Sequence, residues 1–200
     1  MTTSFNPRVF REYDIRGHAE RDLATPFVRD LGQAYGTHVR RAGARAVALG
    51  RDCRVSGPRL FEAFVDGVRS AGVDVVDIGV VPTPVLYWAL FHLPVDGGVI
   101  VTGSHNPGDE NGFKLCLGRT SIFGAELQAL RALVEAQDFE RGEGALSARD
   151  IVPDYLDDLA ARLVPARPLK VVVDAGNGMG GLTAGALYRR LGHEVIELYC

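Results

Sequence analysis

Cysteine is scarce in this chain: its 200 residues include three, Cys53, Cys116 and Cys200. An odd number with no metal-ligand spacing excludes a disulfide framework and a zinc cluster, and points to reduced thiols in the cytoplasm. No apolar run is long enough to cross a bilayer, so no membrane partner is expected. The opening Met1-Thr2-Thr3-Ser4-Phe5-Asn6-Pro7 lacks the basic and apolar regions of a signal peptide. Charge of one sign is not in excess either: 22 Lys and Arg face 25 Asp and Glu, for a net charge of −3. That balance argues against a nucleic-acid partner, and leaves room for a local basic pocket for a phosphorylated metabolite.

What is present is an alternation of strand and helix patterns. Thr25 to Arg41 reads as a helix, with Phe27, Leu31, Tyr35 and Val39 on one face and Pro26 near its start. Ala46 to Gly50 is a short buried strand. Ser56 is placed to cap the next helix, which carries Leu60, Phe61, Phe64, Val65 and Val68 inward and ends at Gly72. Val73 to Ile78, Val99 to Val101, Phe113 to Leu117 and Ser121 to Phe123 read as strands. Pro84 to Phe91 and Ala125 to Gln137 read as helices. The pattern predicts an α/β fold with a mainly parallel mixed sheet and covering helices, whose loops at the strand C-termini carry function.

A small polar stretch at Gly142-Glu143-Gly144-Ala145 marks a boundary region. Residues 1–148 are expected to form one domain and 149–200 the start of a second. The second holds a helix over Asp154 to Val164, a strand over Lys170 to Asp174, a helix over Thr183 to Leu191 and a strand from Glu194 to Tyr199. Two strands make a poor core, and the expectation is a chain truncated within its second domain.

The most informative segment is Thr102-Gly103-Ser104-His105-Asn106-Pro107, followed by Asn111-Gly112-Phe113-Lys114. It places a hydroxyl on a tight turn directly after a buried strand. Gly103 allows a sharp bend and close approach to a ligand, and Pro107 ends the turn. A serine so presented can carry a phosphoryl group, with Lys114 close enough in sequence to help neutralise it. An ordinary polar turn accounts for the same composition. A Ser-His hydrolase dyad fits poorly, because side chains of neighbouring extended residues point apart and the flank is not Gly-x-Ser-x-Gly.

Thr102 to Pro107 resembles the phosphoserine loop of the α-D-phosphohexomutases, the phosphomannomutase/phosphoglucomutase family. Phe10-Arg11-Glu12-Tyr13-Asp14-Ile15-Arg16-Gly17, Gly50-Arg51-Asp52-Cys53-Arg54-Val55-Ser56 and Val81-Pro82-Thr83-Pro84-Val85-Leu86-Tyr87 resemble further segments of that family in the same order. The resemblance covers roughly the first three-quarters of the chain. It implies phosphoryl transfer between C1 and C6 of a hexose phosphate through a phosphoserine and a hexose 1,6-bisphosphate. Ser104 would be the carrier, with its phosphate a ligand of Mg²⁺. Arg16 and Lys114 would serve phosphate binding and acid/base work, and His105 the phosphoryl or sugar oxygens. Tyr13 and Asn106 would contact ligand and fix the turn. Arg51 stands between a site-shaping role and an ion pair with Asp52 or Asp14, Arg54 is a further candidate whose role stays open, and Asp109 and Glu110 read as solvated.

The family's Asp-x-Asp-x-Asp metal loop, sugar-recognition loop and C-terminal phosphate loop have no counterpart before Cys200. Remaining domains of a longer enzyme are therefore the expected partner, and little activity is expected of this chain alone. Within the family, a phosphoglucosamine mutase is the alternative. Outside it stand a non-catalytic truncated paralogue and an NAD-binding oxidoreductase. The last rests on Gly176-Asn177-Gly178-Met179-Gly180-Gly181, a G-x-G-x-x-G pattern between strand and helix with Glu197 beyond it. The plainer reading of that segment is a tight turn that needs small residues.

Overall fold

The computed structural model describes residues 4–200; the first three residues of the N-terminal segment read above lie outside them. Two compact units emerge, one ending at Arg149 and one spanning Asp150–Cys200. The first contains β1 (Ile15–His18), α1 (Thr25–Arg41), β2 (Ala46–Arg51), α2 (Gly57–Ser70), β3 (Asp74–Val80) and α3 (Thr83–His92). It continues with β4 (Gly97–Val101), β5 (Glu110–Leu117), β6 (Thr120–Ser121), α4 (Ala125–Ala136) and β7 (Leu146–Ala148). The sheet order is β1-β5-β4-β2-β3-β7, with β6 on β5. Strands β4, β2, β3 and β7 run parallel side by side, while β5 is antiparallel to both β4 and β1. The fold is thus α/β with a mostly parallel mixed sheet.

The core follows from the periodicities. On α1, Phe27, Leu31, Tyr35 and Val39 are all fully buried, the four-residue spacing placing them on one stripe. The Tyr35 hydroxyl donates to the Cys116 carbonyl at 2.8 Å, so its one polar atom is satisfied inside the core. Helices α1 and α2 lie unusually close: a Cβ on Gly32 would strike the Phe64 backbone, and one on Gly67 the Arg29 carbonyl.

Several local expectations change. Ser56 precedes α2 but makes no side-chain cap; its Oγ accepts from Asn111 Nδ2 at 2.9 Å, because buried Asn111 needs a partner and no water reaches it. The strand read over Ser121 to Phe123 is the two-residue β6, after which Gly124, at φ 53°, turns the chain into α4. The stretch Gly142 to Ala145 is tied down: the Gly142 and Gly144 amides donate to the carbonyls of Ser70 and Arg69, and it leads into β7 beside β3.

The second unit has α5 (Val152–Arg162), β8 (Lys170–Asp174), α6 (Ala184–Arg190) and β9 (Glu194–Leu198), with β8 and β9 parallel. A short 3-10 helix over Met179–Leu182 intervenes before α6. Along β8 the burial alternates, with Val173 covered and Val172 exposed, as a half-covered sheet requires.

Candidate active site

The register of β2 against β4 pairs Arg51 with Val101, so Asp52 and Thr102 emerge side by side at the C-terminal ends of two parallel strands. Both are buried. Asp52 Oδ2 accepts from Thr102 Oγ1 at 2.7 Å, from the Gly103 amide at 3.2 Å and from Arg54 Nε at 3.3 Å; Oδ1 accepts the Arg54 amide at 3.0 Å. Thr102 Oγ1 in turn accepts the Ser104 amide at 2.9 Å. The carboxylate therefore organises the start of the serine loop through charge-assisted bonds.

Arg54 spans the inside of that loop. Its Nη1 donates to the carbonyls of Pro107 (2.5 Å) and Glu110 (2.9 Å), and its Nη2 to those of Ser104 (3.0 Å) and Asn106 (2.6 Å). A Cβ on Gly103 would collide with the guanidinium. The close approach expected at Gly103 is made by the Arg54 side chain. Asn106 holds the turn by donating to Glu110 Oε2 at 2.5 Å, which engages Glu110 rather than leaving it solvated. Asp109 is exposed, 3.8 Å from His18 Nε2.

Ser104 is exposed and adopts φ 54°, a left-handed conformation that costs a non-glycine residue and persists where its surroundings impose it. This conformation corrects one expectation. Ser104 and His105 were read as pointing apart, as in an extended segment, yet Ser104 Oγ lies 3.2 Å from His105 Nδ1. The left-handed residue breaks the alternation and brings the two side chains to one side.

The second wall comes from β1 and β5. Their antiparallel register pairs Ile15 with Phe113 and Arg16 with Gly112, which brings Asp14, just outside β1, opposite Lys114. Asp14 Oδ2 lies 2.5 Å from Arg16 Nη2 and 3.5 Å from Lys114 Nζ. Arg16 is buried, and its Nη1 donates to the Gly103 carbonyl. Its fork is therefore turned onto the loop and Asp14. Lys114 retains partial exposure, with 30% of its side chain open. Below β1, buried Asp22 accepts from Asn6 Nδ2, the His18 amide and Arg21, and the Arg21 guanidinium holds its carboxyl well below the usual carboxylate range.

The structure brings Ser104, His105, Asn106, Arg16 and Lys114 into one connected group through Asp14 and the loop backbone. Tyr13 stands at its margin, 73% exposed, its ring 6.5 Å from that of Phe123. Arg51 makes neither of the ion pairs weighed for it. Its guanidinium donates to the Asp52 carbonyl at 3.4 Å, while the Asp52 carboxylate is taken by Arg54 and Asp14 by Arg16 and Lys114. Asp14, Asp52 and Arg54 carry more of the geometry than sequence reasoning assigned them. The available signals were Asp14 alternating with Arg16 across one strand, and a polar residue ending each of two neighbouring parallel strands.

Among the described residues, no group of three or more His, Cys, Asp or Glu side chains is placed to hold a metal ion. The residues here do not by themselves fit a Mg²⁺ cage, which needs several oxygen ligands. The glycine-rich turn of the second unit uses Gly176 for a left-handed backbone (φ 52°) and Gly181 for close packing. It runs into a 3-10 helix rather than the start of a long helix, the Glu197 carboxylate is held by Arg189 at 2.9 Å, and a Cβ on Gly181 would press on the Cys200 backbone. A dinucleotide site requires a helix N-terminus aimed at the pyrophosphate and a free acid for the ribose. Among the described residues, no helix is long and apolar enough to cross a membrane.

Comparison with known proteins agrees with this geometry. Residues 7–141 match the family described as phosphoglucomutase/phosphomannomutase, alpha/beta/alpha domain I. The phosphomannomutase/phosphoglucomutase of Pseudomonas aeruginosa is 42% identical over 192 residues, covering 96% of this chain and 42% of its own length. The phosphoglucomutase of Neisseria gonorrhoeae is 40% identical over 194 residues, with the same coverage. A crystal structure of a phosphoglucomutase/phosphomannomutase family protein from Burkholderia thailandensis superposes with a TM-score of 0.94 at 43% identity, over 98% of this chain and 44% of that one. The chain thus spans less than half the length of the relatives it matches. With its fold, its serine loop and its matched segment in accord, the chain belongs to the phosphoglucomutase/phosphomannomutase family.

Proposed function

We propose that this chain supplies the phosphoryl-carrying part of a hexose-phosphate mutase. The reaction is transfer between the C1 and C6 oxygens of a mannose or glucose phosphate, by way of phosphoserine at Ser104 and a hexose 1,6-bisphosphate. The observation that carries the reading is the exposed, left-handed Ser104, held by buried bonds and backed by the Arg16–Asp14–Lys114 group. Structural support of that kind around a strained hydroxyl suits group transfer, where positioning and charge stabilisation do most of the work.

In the forward step the Ser104 Oγ–P bond breaks and a bond forms from phosphorus to the sugar's free hydroxyl oxygen. The hydroxyl proton passes to the Asp14 carboxylate, which Lys114 Nζ flanks at 3.5 Å. His105 Nδ1, 3.2 Å from Oγ, is placed to give the departing serine oxygen its proton. The bisphosphate then reorients and returns its other phosphoryl group to Ser104 by the same path reversed. Lys114 offers positive charge to the transferring group, and Tyr13 and Asn106 border the ligand space. Mg²⁺ would supply Lewis-acid stabilisation through a phosphoserine oxygen, with its other ligands contributed from beyond these residues. The remaining domains of a longer enzyme would provide them together with the sugar pocket, in the cytoplasm.

Intact mass and phosphopeptide mapping test this. After exposure to glucose 1,6-bisphosphate with Mg²⁺, the protein is expected to carry one phosphoryl group, on Ser104, and Ser104→Ala none. The test uses the longer enzyme that supplies the remaining metal ligands and sugar pocket: if that protein, folded, acquires no phosphate, or acquires it elsewhere than on Ser104, the reading fails.

A further inference from the structure

We propose that Arg54 is the positioning residue of the serine loop, and that it acts by inverting the loop's polarity. This rests on the phosphoserine reading of Ser104. Four loop carbonyls, those of Ser104, Asn106, Pro107 and Glu110, converge on one guanidinium. Arg16 draws in a fifth, that of Gly103. Asp52 fixes Arg54 from behind through its Nε and its backbone amide. The side chain is 13% exposed, so it is a strut rather than a surface cation.

The consequence follows from peptide geometry. No peptide bond among the described residues is cis, and in a trans peptide the C=O and the next N–H point in opposite directions. Turning the Ser104 and Pro107 carbonyls inward therefore turns the His105 and Gly108 amides outward. Neither amide has a hydrogen-bond partner among the described residues. Asn106 is followed by Pro107, which has no amide to direct. The solvent face of the loop then carries two free donors, the His105 amide directly after the exposed Ser104 and the Gly108 amide further along, and outward backbone donors of this kind can hold an anion. Arg54 does not touch the phosphoryl group in this scheme. It makes the loop a donor surface, and it imposes the left-handed φ of Ser104 that lets Oγ share that surface.

The test uses the protein carrying phosphoserine installed at position 104, followed by ³¹P and amide NMR. In the parent protein, the His105 and Gly108 amides should move downfield on phosphorylation. The second pKa of the phosphoserine should fall below its ordinary value of about 6. Arg54→Ala should lose both effects, and added guanidinium ion should restore them. Arg54→Lys, with a point charge in place of a planar fork, should retain part of each. A folded Arg54→Ala protein with unchanged amide shifts and phosphoserine titration would overturn the proposal. Should Arg54→Ala not fold, an Arg54→Lys protein indistinguishable from the parent would overturn it equally. Absence of amide shifts in the parent defeats the donor-surface idea while leaving the phosphoserine reading to its own mass-spectrometric test.

Discussion

The loop after β4 and the turn after β8 begin alike. Each leaves a parallel strand, each has glycine two residues past the strand end, and each then places a non-glycine residue in left-handed backbone, Ser104 at φ 54° and Asn177 at φ 57°. Their surroundings differ. Ser104 is held by buried Asp52, Thr102 and Arg16 and by the partly covered Arg54. The second turn rests on backbone bonds, such as the Asn177 amide to the Tyr199 carbonyl at 2.7 Å, and on exposed Asp174, whose Oδ1 accepts the Gly176 amide at 2.9 Å. Asparagine enters the left-handed region readily because its side chain bonds locally, whereas serine has to be held there. In the first loop a strained hydroxyl is maintained by covered charge; in the second an exposed turn holds a residue at ease.

The sharpest way to break this comparison is to remove the acid behind each turn. Asp52→Ala leaves the largely covered Arg54 without its counter-charge and removes the buried acceptor of Thr102. The expected loss is about 3–5 kcal/mol, the range for breaking one side of a buried pair. Asp174→Ala removes one exposed bond and should cost about 1 kcal/mol or less. Urea unfolding followed by Trp88 fluorescence reports the first, and far-UV circular dichroism the second. Equal losses would mean that the serine loop is no more dependent on its support than the other turn.

A second contrast lies in the glycines. Gly103→Ala drives a methyl group into a guanidinium that is pinned by several bonds and so has no free direction to yield. About 1–3 kcal/mol should be lost, together with faster amide exchange through residues 103–110. Gly180→Ala meets its nearest neighbour, the Ala175 Cβ, only at 3.8 Å, and its φ is not left-handed. It should fall within about 0.5 kcal/mol of the parent. A silent Gly103→Ala would show that Arg54 is free to move away.

Much of this was legible in the sequence, for a physical reason that also explains what was not. The stripe on α1 and the apolar run of β4 are set by local periodicity: Thr25–Arg41 emerges as read, and the strand feeding the serine loop ends at Val101 as read but begins two residues earlier, at Gly97. Ser104, Arg16 and Lys114 could be singled out because their residue types sit in recurring motifs, and the structure brings the three together around one loop. The roles of Asp52, Asp14 and Arg54 depend on pairings of 50 to 100 residues' separation, such as Thr102 with Asp52 and Lys114 with Asp14. Strand register decides those pairings, and no local window contains it. The Ser104–His105 contact was missed for the opposite reason: a purely local rule, alternation along an extended chain, was overridden by tertiary bonds that force one residue out of it.

The smallest effect is the most direct measure of strain. Replacing each left-handed residue with glycine removes whatever steric penalty its Cβ carries, at the cost of a more flexible unfolded chain. At Asn177 the penalty is slight, so the entropic cost should prevail and Asn177→Gly should be neutral or destabilising by a few tenths of a kcal/mol. At Ser104 the penalty is larger, and its relief should outweigh that cost, so Ser104→Gly should stabilise the first unit by up to about 1 kcal/mol while abolishing phosphoryl incorporation. Gaining stability as function is lost is the signature of strain kept for the hydroxyl's placement. If Ser104→Gly destabilises the unit as Asn177→Gly does its own, the serine is at ease in its turn, and the difference between the two loops lies in their charges alone.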